Sequence, residues 1–105
     1  MAQTLYRIVQ GRPAIRWDFM SNQARGQRPM GPERADPDLY GGLSLWDTPT
    51  ACWGIIGRFP HTGTAVAEVV IPDGAPVRIA KTRGPGHYTV WGDPDLLLGC
   101  VARIL

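Results

Sequence analysis

Six side chains of this sequence form its best set for acting on a ligand: Arg7, Ser44, Trp46, His87, Thr89 and Trp91. The densest stretch is Gly86-His87-Tyr88-Thr89-Val90-Trp91-Gly92-Asp93-Pro94, where one of only two histidines lies among aromatics. Side chains alternate along a strand, so His87, Thr89 and Trp91 share one face and Tyr88 and Val90 the other. An imidazole, a hydroxyl and an indole on one face offer an acid-base group, a hydrogen-bond donor and a stacking surface. Arg7 shares its face with Leu5 and Val9, which makes its strand an edge or sends Arg7 into a cleft. Ser44 and Trp46 lie opposite Leu43 and Leu45 on a second short strand. If these faces line one cleft, a cation for phosphate, hydroxyls for a sugar and indoles for a base or nicotinamide ring stand together. That is a nucleotide-shaped inventory, and it requires Arg7 and His87 to open onto the same cleft with Ser44 or Trp46 on its wall. The competing reading makes Tyr88, Val90 and Trp91 core residues and His87 a hydrogen-bonded structural group.

The elements that must position these groups are short. Apolar alternation predicts strands near 4–10, 43–46, 64–71, 77–82, 87–91 and 100–104. Thr64–Ile71 is apolar nearly throughout, with Glu68 its only charge, and suits a central position. Thr48 followed by Pro49 reads as an N-cap and first helical residue, predicting a helix over 49–58, and Asp93-Pro94 starts one further turn. Ile15, Phe19 and Met20 predict another helix near 16–25 that stops at Gly26. From Gln27 to Pro37 there is no periodicity and three prolines recur, which reads as a long surface loop of the lid or binding kind. The expected core is Leu5, Val9, Phe19, Leu43, Leu45, Ile55, Ile56, Val66, Val69, Ile71, Ile79, Val90, Leu97, Val101 and Ile104.

At 105 residues the chain is one domain, 1–105, with a single modest core. Its 13 glycines and 10 prolines demand many tight turns and argue against a helix bundle. The fold class is therefore α+β: a small twisted sheet, mainly antiparallel or split, with two principal helices. The chain contains no apolar run long enough to span a bilayer and its first residues lack an apolar signal core, so a cytoplasmic location with no membrane partner is expected. Cys52 and Cys100 show no CxxC spacing and lie among apolar neighbours, which reads as buried free thiols and no metal site. A net charge of +2 is too small to indicate nucleic-acid binding. Ten of eleven basic residues are Arg, a bias that a GC-rich genome also produces. Their placement says more, since Arg7, Arg12, Arg16, Arg25, Arg28 and Arg34 face only Asp18 and Glu33 in the first third.

Leu5-Tyr6-Arg7, Asp18-Phe19-Met20-Ser21, Gly42-Leu43-Ser44-Leu45-Trp46-Asp47-Thr48 and the histidine stretch together resemble a family of short uncharacterised bacterial proteins. More distantly the chain is similar to the ADP-ribosyltransferase fold, including the RES-type toxins that consume NAD. The resemblance implies an ADP-ribosyltransferase-like fold with NAD as substrate or ligand. In that fold a first-strand Arg or His, a second-strand Ser or Tyr and a late Glu serve nicotinamide binding and catalysis. Arg7 matches the first element and Ser44 the second. No Glu follows Glu68, so by order His87 or Thr89 stands in the third place, although a sugar cation calls for a carboxylate. On this reading Arg7, Ser44 and His87 are catalytic, Trp46, Thr89 and Trp91 bind the ligand, and the chain is a nucleotide-binding protein, a small toxin or effector. Two other classes stay open. One is a metal-independent RNase with His61 and His87 as base and acid. The other is a non-enzymatic module whose basic first third and 27–37 loop dock on an acidic protein.

Overall fold

The computed structural model describes residues 1–105 as one six-stranded antiparallel sheet with helices on both faces. The strands are β1 (Gln3–Val9), β2 (Leu43–Trp46), β3 (Ala65–Ile71), β4 (Arg78–Lys81), β5 (His87–Trp91) and β6 (Val101–Ile104), in the order β4-β5-β2-β1-β3-β6. The helices are α1 (Pro37–Tyr40), α2 (Pro49–Arg58) and α3 (Pro94–Gly99). The α+β class and the antiparallel sheet follow the alternation in the sequence. No helix is long and apolar enough to cross a membrane.

One face of the sheet carries the main core. Leu5, Val9, Leu43, Leu45, Ala67, Val69 and Val90 are buried there, closed by Phe19 and by Leu97 of α3. Alternation turns the other set outward, and α2 packs across β1, β2 and β3 on that side, where Val66 is fully buried. Thr48 caps α2 by accepting from the Ala51 N–H, and Asp93 caps α3 by accepting from Asp95. Cys52 is the buried residue of α2; Ile55 and Ile56, expected in the core, are only half-buried. Ile79, Val101 and Ile104 likewise stop at the core's margin, because they lie on the two outermost strands. Of the two thiols, Cys52 is buried and Cys100 half-buried.

The helix expected over 16–25 does not form. A 3-10 turn spans Arg16–Phe19, and backbone turns follow to Gln27. Asp18 explains this: its buried carboxylate accepts from the Gln10 and Ile15 N–H groups, which anchors the turn to the end of β1. The Ser21 hydroxyl oxygen then accepts from the Ala24 N–H, the local competition that makes Ser a poor helix interior residue. Residues 27–37 are also more ordered than a bare loop. A 3-10 turn covers Gly31–Arg34, and α1 begins at Pro37 behind the Asp36 cap. This segment is pinned to the sheet by the Trp91 indole N–H, which donates to the Asp38 carbonyl at 2.7 Å, and by an Arg78–Asp38 ion pair. Gly42 allows β2 to start under this cover, since a Cβ there would fall 2.9 Å from Trp91 Nε1.

The two borders of β1 are unequal. Against β3 it is paired at all seven positions, Gln3↔Ile71 through Val9↔Ala65; against β2 it is paired at Tyr6↔Trp46. Beyond that pair the strands separate, and the gap is occupied by Arg7.

Candidate functional site

Arg7 lies on the face of Leu5 and Val9, as alternation requires, but β1 is an interior strand and not an edge. Its guanidinium ties the open seam: Nε donates to the Asp18 carbonyl at 2.7 Å and Nη1 to the Ser44 carbonyl at 2.9 Å. These are carbonyl partners and not a carboxylate, so the charge stays without a counter-ion in contact. Burial, followed by the nearby Arg25 cation, lowers its pKa to about 10 against the opposing pull of Asp18.

The seam opens into a cavity of about 410 Å³. Arg7, Asp18 and Arg25 form one wall, and Arg83 with Trp46 forms another. Ile8, Ile55 and Phe59 supply its apolar side, with Gln10 and Thr62 at the border. Arg25 is oriented by two hydrogen bonds to the Trp17 carbonyl, 3.1 and 2.6 Å, and by stacking 5.1 Å over the Trp17 ring. Burial lowers the Arg25 pKa, with Asp18 raising it in part. Arg83 stands in the left-handed backbone region at φ 59°, a cost that non-glycine residues seldom bear and that tends to mark functional loops. Its one polar contact is a long 3.5 Å approach to the Ser44 hydroxyl. The ion pairs of the protein are Met1–Asp73, Arg16–Asp95, Arg78–Asp38 and Arg103–Glu68, so none of the three cavity arginines is paired with a carboxylate.

The six residues singled out from the sequence divide into two groups. Arg7 and Trp46 line the cavity, and Ser44 lies in the smaller clefts that adjoin it through Arg7 and Arg83. Thr89 lines one of those clefts, with its hydroxyl 2.7 Å from the Thr82 hydroxyl. His87 and Trp91 stand elsewhere. Trp46 pairs across the strands with both Tyr6 and His87, so Trp46 and His87 share the face opposite Arg7. His87 is 6% exposed and lies edge-on behind Trp46, ring centroids 5.2 Å apart, outside the cavity. Its Nδ1 is 3.0 Å from the Thr82 carbonyl, an acceptor, so Nδ1 carries the proton and the buried Nε2 is left without a partner. Burial, then Arg83, lowers the His87 pKa, against the opposing pull of the Thr82 carbonyl. Trp91 is held by Asp38 and by Arg78, whose guanidinium lies 3.7 Å over its ring. His87 lines none of the cavities, screened from the one beside Arg7 by Trp46, so the single cleft shared by Arg7 and His87 is absent. His61 is exposed on the 3-10 turn Pro60–Thr62 beside Phe59.

Arg25, Arg83, Gln10 and Thr62 were not recognisable as a group from the sequence, because each comes from a different turn. The usable signals were the surplus of arginine in the first third and an arginine placed directly before Gly84-Pro85-Gly86. Comparison of the chain with family models, curated proteins and solved structures finds no match.

Proposed function

We propose that the cavity binds a small anionic molecule carrying a flat ring, with nucleotides as the fitting class and NAD the member to test first. The observation that carries this reading is the convergence of Arg7, Arg25 and Arg83 on one cavity with no carboxylate paired to any of them. Bringing guanidiniums together at a partly desolvated wall is unfavourable unless an anion completes it, and guanidinium forks match phosphate oxygens. Trp46 and Phe59 give the same cavity surfaces on which a ring can stack.

The finer reading is an ADP-ribosyltransferase-like protein that uses NAD, as a toxin or effector. It draws support from the 2.9 Å hydrogen bond between Arg7 and the Ser44 backbone, the two positions that match the first two elements of that fold. Asp18 is the one carboxylate on the cavity wall, and both of its oxygens already accept backbone N–H groups. Ligand binding is thus the primary activity proposed, with transfer as its extension. Two-histidine RNA cleavage draws no support from a His87 that is buried behind Trp46.

Titration of the protein with NAD, with nicotinamide release followed in parallel, tests this. Saturable binding is expected, and Arg83→Ala should weaken it about tenfold, the worth of one hydrogen bond to a charged group. Arg83 is exposed, so its removal should change stability by no more than about 0.5 kcal/mol. Absence of binding by NAD, AMP and pyrophosphate alike would end the anion reading and shift attention to a protein partner for the basic first third.

A further inference from the structure

The 3-10 turn Gly31–Arg34 carries a carboxylate that is held in place and half used. Glu33 Oε1 accepts from Asn22 Nδ2 at 2.9 Å and from the Met30 N–H at 2.8 Å, while Oε2 has no partner within the protein and Glu33 forms no ion pair. Two donors on one oxygen fix the plane of the carboxylate and leave the second oxygen free to accept. Glu33 and Ser44 border a second cavity of about 360 Å³, walled by Asn22 and Met30, which meets the first at Thr62 and Arg83. The site is thus a groove of two lobes that share Arg83, with Arg7 and Arg25 in the first and an oriented carboxylate with a hydroxyl in the second.

We infer that Glu33 is a specificity residue that accepts hydrogen bonds from the sugar hydroxyls of the bound molecule, so that the ligand class is a phosphate ester of a cis-diol sugar. The inference rests on the anion reading and deepens it. A free carboxylate selects either a cation or a neutral O–H donor. Arg83 lines the same lobe and would repel an ammonium group, which leaves hydroxyls as the fitting partner. Hydroxyl discrimination by a pre-oriented acceptor is strong, because a ligand lacking the hydroxyl leaves that acceptor unpaired. Glu33 is not legible as a site residue in the sequence, because it lies in an aperiodic stretch whose fold onto β2 is a tertiary event.

Calorimetric titration of the full chain with AMP, 2′-deoxy-AMP and inorganic pyrophosphate tests the inference, each against wild type and Glu33→Gln. Wild type should prefer AMP over 2′-deoxy-AMP about tenfold. Glu33→Gln should bring that ratio to about two while its affinity for pyrophosphate stays within about twofold of wild type, which also shows that the variant is folded. A wild type that binds AMP and 2′-deoxy-AMP equally would overturn the role of Glu33 and leave the anion reading standing. Failure of all three probes to bind wild type overturns both. A ratio unchanged in Glu33→Gln would assign the discrimination to another group.

Discussion

The two borders of β1 put the same strand to different uses. Toward β3 it is paired at every position and its inward residues Leu5 and Val9 meet Val69, Ala67 and Ala65, all essentially unexposed. Toward β2 it is paired at Tyr6↔Trp46, and the rest of the gap is spanned by the Arg7 side chain, which donates to the Ser44 carbonyl of β2 and to the Asp18 carbonyl of the 3-10 turn. Apolar burial holds the first border, and its energy scales with area removed from water. The second exchanges ladder hydrogen bonds for a guanidinium, which closes the seam while leaving room beside it. A six-stranded sheet of this size can thus keep one continuous core and still open a cavity, provided that the cavity lies where pairing stops.

Substitution of Leu5 by Ala, on the fully paired border, should have the largest effect. Leu5 is 1% exposed within the main core, and truncating such a residue costs about 2–5 kcal/mol. Urea unfolding measures this, and the folded fraction should keep its affinity for NAD. A loss below about 1 kcal/mol would mean that the β1–β3 border is not the stable half of the molecule.

Arg7→Ala should come next and should affect both properties. Removing the side chain leaves the Asp18 and Ser44 carbonyls without their donor, and one charge-assisted hydrogen bond is worth about 1.5–3 kcal/mol. Stability should fall by about that amount and anion binding should weaken by about 10- to 150-fold, the same energy expressed as an affinity. Arg7→Lys sharpens the comparison: it keeps the charge but cannot hold two divergent carbonyls, so it should restore more of the binding than of the melting temperature. If Arg7→Lys recovers stability fully, the fork geometry at the seam is not what closes it.

The smallest effect concerns pH and belongs to the neighbouring β2–β5 pairing. The folded-state pKa of His87 is lowered by burial and by Arg83, so the unfolded chain takes up a proton more readily than the folded one. Stability is then full above the unfolded value of about 6.5 and declines as pH falls from there toward the folded value. A urea midpoint that drops between about pH 7 and pH 5 in wild type, with a shallower drop in His87→Gln, is the expected result. An identical slope in both would remove His87 as its source. Arg7 should keep its charge throughout this range, since its lowered pKa of about 10 is still far above it.

Much of the scaffold was legible beforehand. Strict alternation located β2 and β5 residue for residue, and the Thr48-Pro49 and Asp93-Pro94 signals found the starts of α2 and α3. These features depend on local geometry, namely a two-residue period, a capping oxygen and a fixed proline φ, and the chain carries them wherever it folds. The expected helix at 16–25 failed because its periodic residues were outweighed by a distant requirement, the pairing of Asp18 with the Gln10 N–H across the end of β1.

The site shows the same division more sharply. Arg7 stood out in the sequence because a charge shared a face with Leu5 and Val9, and alternation alone was enough to see it. The same alternation placed His87 and Trp46 on a common face, but only the register Tyr6↔Trp46↔His87 decides that this face is opposite to Arg7. Register is set by pairing between strands far apart in the chain, and a shift of one residue reverses every side chain, so single-strand patterns cannot fix it. The sequence by itself determined the six strands, the two caps and the anomaly of Arg7. Tertiary structure decided that β1 and β2 separate beyond one pair, and that Arg25, Arg83 and Glu33 gather at the opening from three different turns. Turns have no period, and what they bring together depends on the packing of the elements between them.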